Sequence, residues 1–213
     1  MQCWHSRASK HLPNRETTVR RRITRREVVA GSLNLAFVGE TTTARAARNR
    51  GAWAGKKVLI AYHSRTDHTA TVARILQEQT GGDLVEIETT DPYPDDYDTL
   101  VAQNVMEQQA NFLPPLRTKV DNIRTYDLVL IGSPIWNVRL TPPVRSFLSR
   151  HDLSGKAVAP FVTYIVSRLG RSREDLAEVA PQARLIEGLA VLGEDAERAG
   201  SAVDRWLINV QHQ

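Results

Sequence analysis

The chain has a single cysteine in 213 residues, Cys3, so no intramolecular disulfide can form whatever the redox state of its compartment. Long apolar runs are missing too. The stretch Val28 to Gly39 is interrupted by Gly31, Ser32 and Asn34 and is too short to cross a bilayer as a helix. The six histidines are scattered, with no pair at a ligand spacing on one helix, so metal ligation has no support. Negative charge is scarce at one end only. Residues 1–50 hold 11 of the 28 Lys and Arg but 3 of the 24 Asp and Glu, a net of +8. Residues 51–213 hold the other 17 and 21, a net of −4. The globular part is therefore mildly acidic and carries no nucleic-acid footprint, although the whole chain is basic.

The basic end has its own plan. Arg20, Arg21, Arg22, Arg25 and Arg26 make a positive region, the weakly apolar stretch follows, and Ala44-Arg45-Ala46 offers a small-x-small cleavage site. That is the layout of an export signal. Thr24-Arg25-Arg26-Glu27-Val28-Val29 resembles the twin-arginine signal, and Arg45, Arg48 and Arg50 suit the same route. Cys3 lies ahead of the apolar stretch and so does not have the place of a lipid-attachment cysteine. The alternatives are a basic tail with no targeting role, or a start codon placed too early. The export reading makes residues 1–46 a leader and 47–55 a linker, puts the protein in the periplasm or cell envelope, and allows membrane contact only through an uncleaved leader.

After residue 55 the chain alternates strand and helix patterns. Lys57–Tyr62 is apolar on both faces, as a central parallel strand must be. Thr69–Gln79 reads as a helix with Val72, Ala73, Ile75 and Leu76 on its buried stripe, closed by Gly81-Gly82. Asp83–Glu88 reads as an edge strand and Asp95–Gln109 as a helix. Tyr126–Gly132 is a fully buried strand. Pro142–Arg150 is a short helix with proline tolerated at its start. Lys156–Thr163, Ser172–Ala180, Ala183–Leu192 and Glu194–Asn209 complete the series, the last with Ala199, Val203, Trp206 and Leu207 inward. Five strands alternating with five helices predict an α/β doubly wound parallel sheet with helices on both faces. In such sheets ligands bind beyond the carboxyl ends of the strands, where strand order reverses. The loops His63–Thr69, Ser133–Leu140 and Thr163–Gly170 leave those ends, so one site built from all three is expected.

The first of these loops carries the clearest chemistry. Lys57-Val58-Leu59-Ile60-Ala61-Tyr62 ends abruptly in His63-Ser64-Arg65-Thr66-Asp67-His68-Thr69, and a helical pattern follows at once. A strand, a hydroxyl-rich turn and a helix N-terminus hold a phosphate without a metal, through free backbone N–H groups and the positive end of the helix dipole. Ser64, Thr66 and Thr69 supply further donors. Asp67 has a competing role, because its carboxylate can cap the helix and take the N–H groups a phosphate would use.

Leu128-Val129-Leu130-Ile131-Gly132-Ser133-Pro134-Ile135-Trp136, then Pro142-Pro143-Val144-Arg145-Ser146-Phe147-Leu148 and Leu153-Ser154-Gly155-Lys156, resemble the bacterial flavodoxin family. Asp91-Pro92-Tyr93-Pro94 and Leu169-Gly170-Arg171-Ser172 fit the same branch. The resemblance implies a flavodoxin-like domain over 56–210, strand order 2-1-3-4-5, and FMN as cofactor. It places Ser64, Arg65, Thr66, His68 and Thr69 around the phosphate. Pro134, Ile135, Trp136 and Asn137 would line the flavin ring, with Thr163 and Tyr164 closing the other side. Trp136 is the aromatic platform, or else a rim residue packing on the Pro142-Pro143 turn. The chain departs from the family in three loops, the second of which reads Trp136-Asn137-Val138 where Trp-Trp-Gly or similar is usual. Thr66-Asp67-His68-Thr69 stands where Thr-Gly-Asn-Thr is usual. Thr163-Tyr164-Ile165-Val166-Ser167-Arg168-Leu169-Gly170 stands where a glycine-rich run is usual, which removes residues suited to positive φ.

Two functions follow. One is an exported FMN protein that transfers electrons or reduces a small quinone-like acceptor, with no residue singled out as a catalytic acid or base. The other is a flavodoxin-fold module that has lost FMN and serves as a non-catalytic binding or structural protein of the envelope. The redox partner is not legible. The leader reading has its own test: Arg25→Lys combined with Arg26→Lys is expected to strand the precursor in the cytoplasm. Unchanged delivery to the envelope in cell fractionation would discard the twin-arginine assignment.

Overall fold

The computed structural model describes residues 52–213. The expected leader, its cysteine and the first part of the expected linker lie outside the described residues. Trp53, within the stretch read as a linker, is buried in the core. Among the described residues no helix is long and apolar enough to cross a membrane.

A parallel sheet forms the centre. Its strands are β1 (Val58–Tyr62), β2 (Asp83–Glu86), β3 (Leu128–Trp136), β5 (Ala157–Tyr164) and a broken fifth strand made of β6 (Arg184–Leu185) and β7 (Leu189–Leu192). The order is β2-β1-β3-β5-β6, with β7 also on β5, and a short β4 (Arg139–Leu140) folds back antiparallel on β3. Counting the broken strand once, this is the expected 2-1-3-4-5 order.

Side chains alternate across each strand, so a strand apolar at every position feeds two cores. Ile60, Leu130 and Ala159 face one side. There they meet α1 (His68–Thr80) through Val72, Ala73 and Leu76, and α5 (Gly200–Gln211) through Val203, Trp206 and Leu207. Leu59, Val129, Ile131 and Val158 face the other side. They meet α3 (Pro142–Arg150) through Val144, Phe147 and Leu148, and α4 (Ser172–Val179) through Leu176. Each fully buried large side chain contributes about 2 kcal/mol by removal of apolar area from water.

The broken fifth strand has a local cause. The Val158 carbonyl accepts the Ile186 N–H at 2.9 Å, so Pro160, two residues on, faces the same neighbour. Proline has no N–H to give, and the ladder opens there. The remaining helix, α2 (Tyr97–Gln109), starts two residues later than the sequence pattern predicts, because Asp96 takes the cap position and accepts the Thr99 N–H at 2.9 Å. The Thr99 hydroxyl, which also donates to Asp96 Oδ1, and the Thr99 N–H hold the exposed Asp96 carboxyl below the usual carboxylate range. The acids around Asp96 are thus a helix start.

Helix α2 also packs unlike the others. Its buried residues are Leu100, Asn104, Glu107 and Gln108, so three of four are polar. They dock by hydrogen bonds. Glu107 Oε2 accepts the Tyr93 hydroxyl at 2.5 Å, and Gln108 Nε2 donates to the Trp136 carbonyl at 2.9 Å.

The β3–β4 connection is a two-residue turn with Asn137 at φ 46° and Val138 at φ 61°. Positive φ at both positions is the tight hairpin geometry that glycine and asparagine favour, and Val138, being β-branched, is strained in it. The turn is held from behind, since the Arg171 N–H donates to the Val138 carbonyl at 2.7 Å. Gly170 packs so close to that carbonyl that an added Cβ would lie 2.3 Å from its oxygen. Replacing Val138 with Gly is expected to stabilise the fold by about 1 kcal/mol, the left-handed penalty less glycine's entropy in the unfolded chain. Urea unfolding of both proteins measures it, and a destabilised variant would show that the turn carries no strain.

Candidate functional site

The carboxyl ends of β1, β3 and β5 open onto one cleft of about 820 Å³. Its first wall is the turn between β1 and α1. The N–H groups of Arg65 through Thr69 find no acceptor among the described residues. The next one, of Ala70, donates to Ser64 Oγ at 3.2 Å. Asp67 does not cap the helix as expected. It sits in the left-handed region at φ 59° and its carboxylate accepts nothing from the helix. Ser64 closes the first turn instead, because the left-handed residue swings its own side chain away from the N–H groups. The free donors therefore remain available to an anion.

Arg65, Thr66 and His68 line the cleft. Arg65 Nη2 donates to the carbonyls of Pro94 at 3.2 Å and Asp95 at 2.6 Å, which ties the turn to the start of α2. The His68 ring lies against Gly193, where an added Cβ would come within 2.8 Å of Nδ1. Two of the expected phosphate residues do not reach the cleft. Ser64 is engaged in capping, and the Thr69 hydroxyl is buried against the Thr163 hydroxyl at 2.7 Å. The pair joins the first loop to the third.

The second wall is the β3 end. Pro134, Ile135, Trp136 and Asn137 line the cleft, as expected. Trp136 packs among aromatic rings. Its ring meets Tyr93 edge-on at 5.4 Å and His63 edge-on at 5.7 Å, so it separates the main cleft from a smaller one of about 270 Å³. Burial pushes the Tyr93 hydroxyl above its ordinary range, reinforced by its bond to Glu107.

The third wall is the end of β5 and the loop after it, where Thr163, Tyr164 and Ile165 face the cleft. The expected loss of positive φ does not occur. Arg168 adopts φ 49° and Gly170 φ 52°, so two positions of the loop keep positive φ, one of them without a glycine. Ile165 and Val166 stand 86% and 83% exposed at its tip.

Sequence reading missed the fourth wall. Tyr97, Leu100, Val101, Asn104 and Val105 of α2 line the cleft, and Gly193 and Glu194 close it beyond β7. The α2 residues recur at helical spacing along one stripe, which was a usable signal. It was obscured because that stripe is interrupted by the polar Asn104.

A doubly wound sheet with an anion-ready turn and an aromatic wall at the same edge defines an α/β protein of flavodoxin-like architecture. Residues 57–210 match the family model described as flavodoxin, and the chain belongs to that family. A candidate flavoprotein from Bacteroides eggerthii is 31% identical, with 69% of this chain and 97% of that one covered at a TM-score of 0.58. A second, from Bacteroides uniformis, is 26% identical over 72% and 99%, at 0.64. A flavoprotein from Lactobacillus acidophilus, solved in complex with FMN, is 24% identical over 71% and 99%, at 0.59. No curated protein matches the chain.

His63 yields a pH prediction. Its Nδ1 lies 3.1 Å from the Ile87 carbonyl, an acceptor only, so Nδ1 carries the hydrogen. Nε2 is buried with no partner among the described residues. Burial holds the ring below the ordinary histidine value of 6.5, against the opposing pull of the Ile87 carbonyl. The folded protein thus binds this proton less readily than the unfolded chain does. Its contribution is complete above about pH 6.5 and is lost as pH falls through the folded value. Stability is expected to drop on acidification in that window, and His63→Phe should flatten this part of the profile. Equal pH slopes for the two proteins in chemical unfolding would remove the assignment.

Proposed function

We propose that this protein binds FMN in the cleft and uses it to pass electrons to, or reduce, a small quinone-like acceptor, and that residues 1–46 carry it out of the cytoplasm. The observation that carries the cofactor reading is the run of five N–H groups at the start of α1 that have no acceptor among the described residues, opening into the same cleft as Trp136. The cleft falls in the size range of cofactor sites. Membership of the flavodoxin family supports the same reading.

When bound, the flavin supplies the redox chemistry, and the protein supplies orientation and electrostatics. The backbone donors of Arg65 to Thr69 would hold the phosphate, with Thr66 and His68 adding side-chain donors. Asp67 is exposed, so water and salt screen its charge from a bound anion. Backbone groups of Pro134 to Asn137 and the Trp136 ring would hold the flavin ring, with Thr163 and Tyr164 opposite. Tyr97, Val101 and Ile165 give the mouth of the cleft an apolar character, which favours a flat, weakly polar acceptor over a charged one. Export rests on the Thr24–Val29 pattern and the charge of the first fifty residues.

Titration with FMN under tryptophan excitation tests the cofactor reading. Emission from Trp136 is expected to be strongly quenched, while Trp53 and Trp206, both in the core on the α1–α5 face, continue to emit. Trp136→Ala should abolish that part of the quenching and weaken FMN binding by roughly 1 kcal/mol or more. Wild-type affinity and quenching in the variant would move the ring contact to Tyr164. A protein that takes up no FMN at all would fit the alternative, a flavodoxin-fold module of the envelope without redox chemistry.

A further inference from the structure

Asn104 and Gln108 are buried carboxamides on one face of α2, 5% and 6% exposed. A carboxamide can sit either way round, and its neighbours decide which. Here one backbone carbonyl decides for the whole set. The Trp136 carbonyl can only accept, so the Gln108 atom 2.9 Å from it is Nε2. Gln108 Oε1 then accepts from Asn137 Nδ2 at 3.1 Å. The second Nε2 hydrogen goes to Asn104 at 3.1 Å, which must present Oδ1. Asn104 is thereby fixed with Nδ2 turned away from Gln108. That nitrogen has no acceptor among the described residues, is not sealed from solvent, and belongs to a residue that lines the cleft.

The rest of the α2 wall is largely apolar, formed by Tyr97, Leu100, Val101 and Val105. Asn104 is the hydrogen-bonding side-chain amide in that wall, and it offers donors only. An oxygen acceptor on a flat ring satisfies it, whereas an N–H or a cation does not. We propose that Asn104 is a cofactor-binding residue whose Nδ2 donates to a ring carbonyl oxygen of FMN, and that Gln108 is the positioning residue that holds the amide in this orientation. The inference rests on the FMN reading above and adds a fourth side to the ring site. Gln108 spans both sides of it, since its bonds to the Trp136 carbonyl and Asn137 fix the β3–β4 turn as well.

Riboflavin separates a ring contact from a phosphate contact, because it carries the same ring without the phosphate. Flavin fluorescence titrations of the purified protein with FMN and with riboflavin are the measurement. Asn104→Asp keeps the shape but replaces donors with acceptors, and is expected to weaken both ligands about tenfold or more. Asn104→Leu should weaken both as well and shift the visible absorption band of bound FMN, since a hydrogen bond to the ring is lost. Gln108→Leu should reproduce that band shift. Adding Asn104→Leu to Gln108→Leu should cost little more, because the two act as one unit. Additive losses would make Gln108 a packing residue only and overturn its positioning role. Unchanged affinity in both Asn104 variants overturns the binding role, and so does a loss confined to FMN. An unmodified protein that binds neither flavin overturns the FMN reading and this inference with it. Binding by the unmodified protein with unaffected variants overturns the inference alone.

Discussion

β1, β3 and β5 are sealed on both faces, so their backbone groups are spent in the sheet and everything meant for a ligand must leave at the strand ends. This constraint orders the rest of the molecule. Helices are forced onto both faces to cover apolar side chains. The three loops at the carboxyl edge become the places where donors stay unpaired. The turn after β1 shows the consequence most directly, because α1 begins so abruptly that five N–H groups are left without acceptors among the described residues. A helix start with unspent donors beside a buried sheet is an anion site by construction.

The cleft walls are tied to one another by polar contacts behind them. Asp175, fully buried on α4, accepts from Arg139 Nε at 2.7 Å and from the Leu140 N–H at 2.8 Å. Glu178 accepts from Arg139 and from Arg145. The loop that closes one side of the cleft leads into α4, and the turn that follows Trp136 leads into β4. The ion network therefore fixes the separation of those two walls. Removing one member would leave a buried charge uncompensated, which is far costlier than the pair is stabilising. Arg145 itself retains two buried guanidinium nitrogens without an acceptor among the described residues.

Helix α2 sets the fourth wall by a different device. Its buried face is mostly carboxamide and carboxylate, and its docking depends on bonds from Tyr93 to Glu107 and from Gln108 to Trp136. Apolar packing tolerates sliding, whereas a set of directional hydrogen bonds does not. The polar face thus gives the turn at Asn137 and Val138 a defined position despite its strained backbone.

Much of the fold was legible from the residues alone. Apolar runs such as Leu128-Val129-Leu130-Ile131 can only be two-sided strands, and the stripes of α1 and α5 match their burial. Their alternation required the parallel sheet, and the loops at its carboxyl edge located the cleft. Nine of the eleven expected site residues line it. Hydrogen-bond allocation was not legible. Nothing in the order Ser64-Arg65-Thr66-Asp67-His68-Thr69 shows that Ser64 takes the capping bond, that Thr69 spends its hydroxyl on Thr163, or that Asp67 turns left-handed and withdraws. Nor does the sequence show that α2 faces the cleft, because polar residues on a helix read as a solvated face until a partner is placed against them. Apolar periodicity is a local property of the chain and fixes the elements. Which donor meets which acceptor depends on residues as far apart as Thr69 and Thr163, and only the tertiary structure decides it.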